Sequence, residues 1–272
     1  MKVGIVGWGV VGKAVAHLCV AERIEYAIYD PPLGYKDKDW VNGCDCAFVA
    51  VPTPLEATGL LDTKLVEENI DWLTVPIIII KSTVNPGDTE TWTRKTGKHI
   101  VVCPEFLGET TGHPHKSMAT RRFMIIGGRR EARKLAIRVF QHLYPATITL
   151  FECPSLEAEL MKLAENTYLA MKVSLFWTFR EICDAAGADY DIFREGLTLD
   201  DRIGKSHTFT YDHVPGWSSK CLDKDVPALA SVAKMLGVDT ALLDGMLDYN
   251  RWLRERKCNT GISAMPANTG LE

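Results

Sequence analysis

The chain has 272 residues, of which 46% are hydrophobic and 24% are charged, and its formal net charge at pH 7 is −4. This composition is ordinary for a soluble globular enzyme, and the length is enough for two compact domains. A mildly acidic chain offers no basic field to a polyanion, so we do not expect nucleic acid as a partner.

The chain shows no segment that predicts secretion or membrane insertion. Its N-terminus opens directly into a folded pattern and lacks the features of a signal peptide. The longest apolar run, VPIIIIKSTV, is too short to cross a bilayer. We therefore expect a cytoplasmic protein, without a membrane partner, whose eight cysteines are free thiols. The two cysteines of GCDC have no second pair at the spacing of a zinc site, so we expect no metal.

The first 30 residues predict a dinucleotide site. The stretch MKVGIVGWGVVGKAV is a β-branched strand, then Gly7, Gly9 and Gly12, then a helix. Gly7 permits the tight turn, Gly9 lets a pyrophosphate approach the backbone, and Gly12 lets the helix pack closely on the strand. A second strand, YAIYD, ends in Asp30, whose carboxylate can bind a ribose 2′-hydroxyl and repel a 2′-phosphate. We therefore predict NAD as the cofactor in preference to NADP.

Two further strands lie in CAFVAVPTP and PIIIIKSTVNPGDT. Both are continuous apolar runs, as expected for parallel strands covered on two faces, and each breaks into turn residues at the end where such sheets bind ligands. Helix capping or turn formation explains Ser82 and Thr83 equally well. The predicted cofactor-binding residues are Gly7, Gly9, Val10, Val11, Gly12, Asp30, Val51, Pro52, Thr53, Ser82, Thr83, Glu109 and Lys224.

Two acidic residues follow the next strand, in IVVCPEFLGETTGHP. Glu105 and Glu109 lie four residues apart at the rim where the cofactor strands also end, and a raised pKa on one of them would make a general acid or base. The alternative is a pair of solvated acids in a loop, which this segment alone favours.

The stretch SLEAELMKLAENTYLAMKVSLFWTFREICDAAGAD predicts one helix of about 30 residues that ends at Gly187. Its middle is apolar nearly all round, which is typical of a helix buried between layers or at a subunit interface. Lys162 and Asn166 lie four residues apart on one face. A desolvated lysine there is suited to proton transfer, and a lysine that extends into solvent beside a polar asparagine is an equal alternative.

A charged cysteine follows a loop-like stretch, in SSKCLDKDVPAL. Cys221 comes after a serine-rich turn, opens a predicted helix, and lies near Lys220 and Lys224. These three influences favour the thiolate. Asp225 lies four residues further along the same helix.

These motifs together resemble the nucleotide-sugar 6-dehydrogenases, the UDP-glucose and GDP-mannose dehydrogenase group. The matching stretches are VGIVGWGVVG, VAVPTP, KSTVNPGDT, PEFLGE, EAELMKLAENTYLAMKVS, GAD, DDRIG and KCLDKDVPAL, in the family's order. We expect an α/β protein with an NAD-binding, Rossmann-type doubly wound parallel sheet over residues 1–152. A helical domain with a long central helix, which carries the catalytic lysine and cysteine and dimerises, follows over 153–258, and 259–272 form a tail.

The resemblance implies two successive oxidations of a sugar C6 alcohol, through an aldehyde, to the acid, with two NAD and one water. Cys221 adds to the aldehyde as a thiolate, and hydride loss from the thiohemiacetal yields a thioester. Lys162 and Asn166, with an ordered water, stabilise the developing alkoxide and oxyanion. Asp225 positions that water or acts as a base.

The resemblance also implies how the substrate, a nucleotide sugar or other hexose conjugate, is held. Glu109 assists proton transfer during thioester hydrolysis, and Glu105 orders the loop or holds the sugar. Arg202 looks like the family's arginine that reaches the substrate of a neighbouring subunit, which implies a homodimer built on the long helix. The implied substrate-binding residues are Glu105, Phe106, Leu107, Lys162, Asn166, Arg202, Gly216 and Cys221.

The sequence departs from the family at substrate and cofactor walls. It ends where the family's third domain begins, and the segment after Asp30 is trimmed. The loop before the cysteine reads PGWSSKC in place of a glycine-rich run, and Trp177 and Thr178 replace an Asn-Glu pair.

Two alternatives remain open. A two-electron β-hydroxyacid dehydrogenase of the 6-phosphogluconate type also has a lysine and an asparagine four apart on a long helix. Such enzymes carry a glycine-rich turn before the lysine and need no thiol, whereas this chain has PSLEAELMK and Cys221. The other alternative is an incomplete NAD-binding homologue that needs a partner chain.

Overall fold

The computed structural model describes residues 1–107, 117–118 and 121–259, with side chains up to residue 256. The chain divides into two compact units, Met1–Leu163 and Ala164–Glu272. The first is an α/β unit, and the described part of the second is helical. The expected fold class, a Rossmann-type domain followed by a helical domain with a long helix, is confirmed.

Strands and helices alternate along the first unit. The strands are β1 (Lys2–Val6), β2 (Glu25–Tyr29), β3 (Cys46–Val49), β4 (Ile78–Ile80), β5 (Ile100–Val102), β6 (Phe123–Gly128) and β7 (Thr149–Cys153). The helices are α1 (Val10–Ala21), α2 (Lys38–Asn42), α3 (Lys64–Trp72), α4 (Asp88–Thr96) and α5 (Arg130–Leu143), with a 3-10 turn at Pro31–Leu33. That turn and the short α2 fill the trimmed interval between β2 and β3.

The described strands form one sheet in the order β2-β1-β3-β4-β5-β6-β7. Strands β1 to β5 pair in parallel, as the continuous apolar runs of β3 and β4 predict for those two strands. The chain reverses its direction across the sheet at β1, so the carboxyl ends of β1 and β3 flank the switch point where such sheets bind ligands. The sheet differs from a fully parallel one at β6, which pairs antiparallel with β5.

Apolar side chains cover both faces of the sheet. On one face, Ile5 of β1 and Phe140 of α5 belong to one buried cluster. On the other face, Ile78 of β4 and Trp92 of α4 belong to a second cluster. The strand ends that carry the predicted cofactor residues therefore project from a layer that is packed on two sides.

The second unit is built on one long helix that begins in the first unit. Its helices are α6 (Ser155–Ala186), α7 (Tyr190–Leu197), α8 (Leu222–Met235) and α9 (Ala241–Asn259). Helix α6 ends before Gly187, whose φ of +73° is the left-handed conformation that favours glycine after a helix. Ala170 of α6 packs with Val226 of α8 and Met246 of α9 in a buried cluster.

The middle of α6 is not covered on every side. Phe176 and Trp177 are buried, whereas Tyr168 and Leu175 are exposed. The exposed side forms an apolar groove of about 320 Å³, called here the α6 groove. The groove is lined by Tyr168, Met171, Lys172, Leu175, Phe176, Phe179, Leu197, Arg202 and Ile203.

Candidate active site

The turn between β1 and α1 requires glycine at two positions. Gly7 has a φ of +93°, and a Cβ there would clash with the carbonyl oxygen of Ala50. A Cβ on Gly12 would clash with the carbonyl oxygen of Gly7. Gly9 differs, because nothing lies within 4 Å of the place where its Cβ would stand. The turn is therefore held against the sheet while open space remains at the N-terminus of α1, as the binding of a pyrophosphate requires.

Asp30 follows β2 and is tied to the same turn. Its Oδ2 accepts a hydrogen bond of 2.7 Å from the backbone N–H of Trp8, whose indole stacks on Tyr26 with the ring centroids 6.1 Å apart. The sequence predicts a ribose contact for Asp30 but gives no signal for this bond. The bond holds the carboxylate beside the glycine turn, where a dinucleotide ribose is expected.

We expect NAD to bind more tightly than NADP, because the Asp30 carboxylate repels a 2′-phosphate. Asp30→Asn keeps an oxygen for the Trp8 N–H and removes the charge, so the ratio of the Kd for NADP to the Kd for NAD should fall by about tenfold, or roughly 1.4 kcal/mol. Calorimetric titration of both cofactors measures the two constants. Glu25→Gln, an exposed charge change on the preceding strand β2, is the control. Equal constants for the unmodified protein would contradict the assignment.

Two hydroxyl groups tie together the loops after β3 and β4. Thr53 Oγ1 donates to the carbonyl oxygen of Thr83 at 2.7 Å, and Ser82 Oγ donates to the carbonyl oxygen of Val51 at 2.7 Å. The rim of the sheet is therefore fixed by the predicted residues themselves. Of the other predicted cofactor contacts nearby, Val11 is half-buried, and Val10 and Pro52 are exposed.

A buried ion cluster follows β5. Oε1 of Glu105 accepts hydrogen bonds from the backbone N–H groups of Phe106 and Leu107, at 2.8 and 2.9 Å, and from the guanidinium of Arg121. Oε2 lies 3.1 Å from the ammonium nitrogen of Lys81. Burial alone raises the pKa of Glu105, but the charges of Lys81 and Arg121 outweigh burial and hold that pKa below its ordinary value. Glu105 is therefore a carboxylate fixed between two cations.

The two cations of this cluster, Lys81 and Arg121, were not predicted from the sequence. Lys81 directly follows the isoleucines of β4 and is 3% exposed. Arg121 is 4% exposed, whereas the adjacent Arg122 is exposed. Lysine and arginine are rarely buried unless they are paired. The burial of these two cations could therefore be predicted from the sequence only if their carboxylate partner were known.

The ring of Phe106 lies close to two cations. Nζ of Lys162 lies 4.8 Å from the centroid of the Phe106 ring, and the guanidinium carbon of Arg121 lies 5.7 Å from it. Lys162 is 7% exposed, so the ring face replaces part of the hydration that the ammonium loses. The side chain packs against this ring and does not extend into solvent. Glu109, the second predicted acid, lies outside the described residues.

The first turns of α6, which carry Lys162, are fixed within the first unit. A Cβ on Gly127 of β6 would clash with the Cβ of Ala158, so glycine lets α6 approach the sheet closely. Glu159 is buried and accepts hydrogen bonds of 2.6 and 3.0 Å from two backbone N–H groups at the start of α4. Lys162 follows within one helical turn, so these contacts set its position.

In the second unit, Asp225 is a buried carboxylate with two donors. Asn166 Nδ2 donates to its Oδ2 at 2.5 Å, and Lys224 Nζ donates to its Oδ1 at 2.6 Å. Asp225 is 0% exposed. The family resemblance implied catalytic roles for Asn166 and Asp225, whereas Lys224 was predicted to bind the cofactor. The fold brings the three side chains together. The spacing of the residues alone did not predict these bonds.

Cys221 immediately precedes α8, and it is exposed. The backbone N–H of Asp225 donates to its carbonyl oxygen at 2.9 Å, which begins the helix. The other cysteines with described side chains are all buried, namely Cys19, Cys44, Cys46, Cys103, Cys153 and Cys183. A solvent-accessible thiol at a helix N-terminus is the environment in which cysteines react.

Two more predicted substrate residues lie on loops of the second unit. Arg202 is exposed, and its guanidinium binds the carboxylate of Asp200, with Nε 3.0 Å from Oδ1 and Nη2 2.5 Å from Oδ2. Gly216 has a φ of +71°, and a Cβ there would clash with Oδ1 of Asn250. The conformation of the chain itself therefore requires glycine at 216.

Within residues 1–107, 117–118 and 121–259, no group of three or more His, Cys, Asp or Glu side chains could hold a metal ion. Over the same ranges, no helix has the length and apolar character needed to span a bilayer.

The chain matches two models of one protein family. Residues 35–148 match the NAD binding domain of the UDP-glucose/GDP-mannose dehydrogenase family, and residues 156–252 match its central domain. Together the two segments cover more than half of the chain. The match to an NAD binding domain confirms the cofactor predicted from the glycine turn and Asp30.

Individual proteins agree with the family models. The chain is 29% identical over 222 residues to a UDP-glucose 6-dehydrogenase of Rickettsia bellii (strain RML369-C), which covers 78% of this chain and 50% of that protein. It is 32% identical over 232 residues to a putative UDP-glucose 6-dehydrogenase of Bacillus subtilis (strain 168), with 78% and 52% covered. A UDP-glucose dehydrogenase structure from the hyperthermophilic archaeon Pyrobaculum islandicum has the same fold, with a TM-score of 0.77 at 23% identity over 92% of this chain and 68% of that one. The chain spans about half the length of the curated relatives it matches. It belongs to the UDP-glucose/GDP-mannose dehydrogenase family.

Proposed function

We propose that this chain is an NAD-dependent dehydrogenase that oxidises the C6 alcohol of a nucleotide sugar, such as UDP-glucose, to the acid in two steps. The observation that carries the proposal is the buried Asp225, held by Asn166 and Lys224 in the first turn of the helix that Cys221 opens. A dehydrogenase that stops after one oxidation needs no thiol at that place. Relatives named as UDP-glucose 6-dehydrogenases support the substrate class.

Cys221 acts in this proposal as the nucleophile of the second oxidation. Its thiolate adds to the carbonyl carbon of the aldehyde formed first, and the carbonyl oxygen takes a proton to give a thiohemiacetal. That carbon then loses a hydride and the hydroxyl loses its proton, which leaves a thioester. Water adds to the thioester, the acid departs and the thiol is restored. NAD, when bound, accepts one hydride in each oxidation, so each acid formed consumes one water and yields two NADH.

Lys162 and Asn166 stabilise negative charge on the reacting oxygen. A buried ammonium interacts more strongly with a developing alkoxide than an exposed one does, because water screens it less. The amide of Asn166 has its orientation fixed by the bond from Nδ2 to Asp225. Asp225 positions the hydrolytic water or accepts its proton.

The two acidic residues after β5 have different roles in this proposal, since one orders a loop and the other transfers a proton. Lys81 and Arg121 hold Glu105 ionised and fixed, which suits it to order the loop that carries Phe106. Proton transfer during thioester hydrolysis is assigned to Glu109.

The experiment that tests this function counts NADH and acid together. The chain is incubated with NAD and a panel of UDP-glucose, other nucleotide sugars, sugar phosphates and free hexoses. Absorbance measures NADH, mass spectrometry measures products, and Cys221→Ser is the matched control. Two NADH for each acid support the proposal. One NADH for each oxidised product indicates a two-electron hydroxyacid dehydrogenase, and activity only after a second chain is added indicates an incomplete homologue. Either of these results contradicts the proposal.

The proposal includes a homodimer built on α6, in which Arg202 contributes to the site of the other subunit. Its support is the α6 groove, which is lined by the exposed Tyr168 and Leu175 and by Arg202. Leu175→Asp introduces a charge into the groove and should halve the mass measured by light scattering. Ile182→Asp, on an exposed position of α6 outside the groove, should leave the mass unchanged. A monomeric unmodified protein at micromolar concentration would overturn the dimer.

A further inference from the structure

The segment that leads to Cys221 is anchored by a buried tryptophan. Trp217 is 5% exposed and packs in one cluster with residues of α6, α8 and α9. Its indole N–H donates to Oγ of Ser174, a buried residue of α6, at 3.0 Å. An aromatic residue four positions before the thiol is therefore fixed to the helix that also carries Asn166.

Asn250 of α9 holds the backbone of the same tryptophan at two points. Its Oδ1 accepts from the backbone N–H of Trp217 at 2.8 Å, and its Nδ2 donates to the carbonyl oxygen of Trp217 at 3.1 Å. Asn250 is 5% exposed, so little water competes for either bond. Gly216, with no Cβ, leaves the space that this amide occupies.

The residues between the tryptophan and α8 are tied to the helix start. Ser218 Oγ donates to the carboxylate of Asp223 at 2.8 Å. Ser219 Oγ accepts from the backbone N–H of Leu222 at 3.0 Å, as a cap of the first turn does. With Trp217 fixed on one side and the buried Asp225 on the other, the chain that bears the thiol is held at both ends.

We propose that Trp217, Ser174 and Asn250 form a clamp that positions the Cys221 thiol for capture of the aldehyde. The inference rests on the proposed function, because it takes Cys221 as the nucleophile. Ser174 and Asn250 act through Trp217 and are positioning residues. A nucleophile displaced by about 1 Å loses roughly 100-fold in rate, so the hold on this segment matters to the second oxidation. The first oxidation uses no thiol and does not depend on the clamp.

The test measures how much of the aldehyde intermediate is converted to acid through Cys221 and how much is released into solution. Asn250→Ala removes both backbone bonds, and Asp248→Ala, on an exposed position of the same helix, is the matched control. With UDP-glucose or the sugar found active in the panel, the unmodified protein and the control should form acid with no aldehyde trapped by hydroxylamine. Asn250→Ala should release aldehyde, and acid formation at saturating substrate should fall by about tenfold or more while the KM for NAD is unchanged. A purely structural defect would slow both oxidations together and release no aldehyde.

Trp217→Phe and Ser174→Ala are less disruptive variants of the clamp, and they replace Asn250→Ala in the test if that variant does not fold. Each removes the indole bond and leaves the apolar packing, so the double variant should release no more aldehyde than the stronger single variant. Absence of aldehyde release from every folded clamp variant would overturn the clamp and leave the proposed function intact. Absence of acid from the unmodified protein would overturn the proposed function and the clamp together.

Discussion

Cys221→Ser should abolish the formation of acid while alcohol oxidation to the aldehyde persists. Serine has nearly the size of cysteine, but its hydroxyl is not ionised near neutral pH and does not capture the aldehyde. Acid formation should fall by at least about 1,000-fold, in the range seen when a catalytic nucleophile is removed. Mass spectrometry of the products, together with NADH counted per sugar, measures the effect. Cys183→Ala, at a buried thiol in another cluster of the second unit, should retain acid formation. An unchanged acid yield from Cys221→Ser would remove the thioester route.

Chemical labelling tests the same thiol without a substitution. Iodoacetamide at neutral pH should modify Cys221 before the six buried thiols and should abolish acid formation on the same time course. Burial raises the pKa of Cys19 to about 12, which keeps that thiol protonated and unreactive. Peptide mapping identifies the modified positions. Labelling spread evenly over the cysteines would count against a reactive Cys221.

Glu105→Gln should lower the free energy of unfolding more than any surface charge change in the first unit. The side chains of Glu105, Lys81 and Arg121 are 8%, 2% and 1% exposed, so the substitution leaves two buried cations without their counter-ion. Breaking a buried pair in this way costs about 3–5 kcal/mol. Urea denaturation at pH 7 measures the loss. The control is Glu90→Gln, which breaks surface pairs with Arg94 and Arg129 and should cost far less.

The pH dependence of this effect has a defined sign. The pKa of Glu105 is held below its ordinary value of 4.5, because the two cations outweigh the effect of burial. A lowered pKa in the folded state contributes stability at pH values above that of the unfolded group, and the contribution is lost as the pH falls through the folded value. The difference between the unmodified protein and Glu105→Gln should therefore be full above about pH 4.5 and should narrow in more acidic solution. A difference that widens on acidification would contradict the ion cluster.

Local sequence patterns predicted more of the fold than of the candidate active site. The glycine turn was predictable because two of its constraints are local: Gly7 adopts a left-handed φ, and Gly12 packs against the carbonyl oxygen of Gly7. The direction of β6 was not, since FMIIGG reads the same in a parallel or an antiparallel strand. The parallel pairing of β3 and β4 followed from runs that are apolar on both faces.

Contacts between side chains that are far apart in the sequence were not predicted. Arg121 and Lys81 lie 40 residues apart in the sequence, and each reads alone as a surface cation. Trp217 and Asn250 likewise carry no sign of their pairing, because an asparagine inside a helix is ordinarily solvated. Lys162 and Asn166 were found because both lie on one helix, where a spacing of four residues implies one face.

The contacts that seat the start of α6 have a consequence for genetic screens. Gly127 and Glu159 touch neither sugar nor nucleotide in the proposed chemistry, yet a bulky group at 127 or a neutral one at 159 would shift the helical turn that bears Lys162. A screen for variants that have lost activity would recover substitutions at both positions. Both residues would then be mistaken for catalytic residues. Parallel assays of turnover and NAD affinity would separate a misplaced ammonium from a damaged nucleotide pocket.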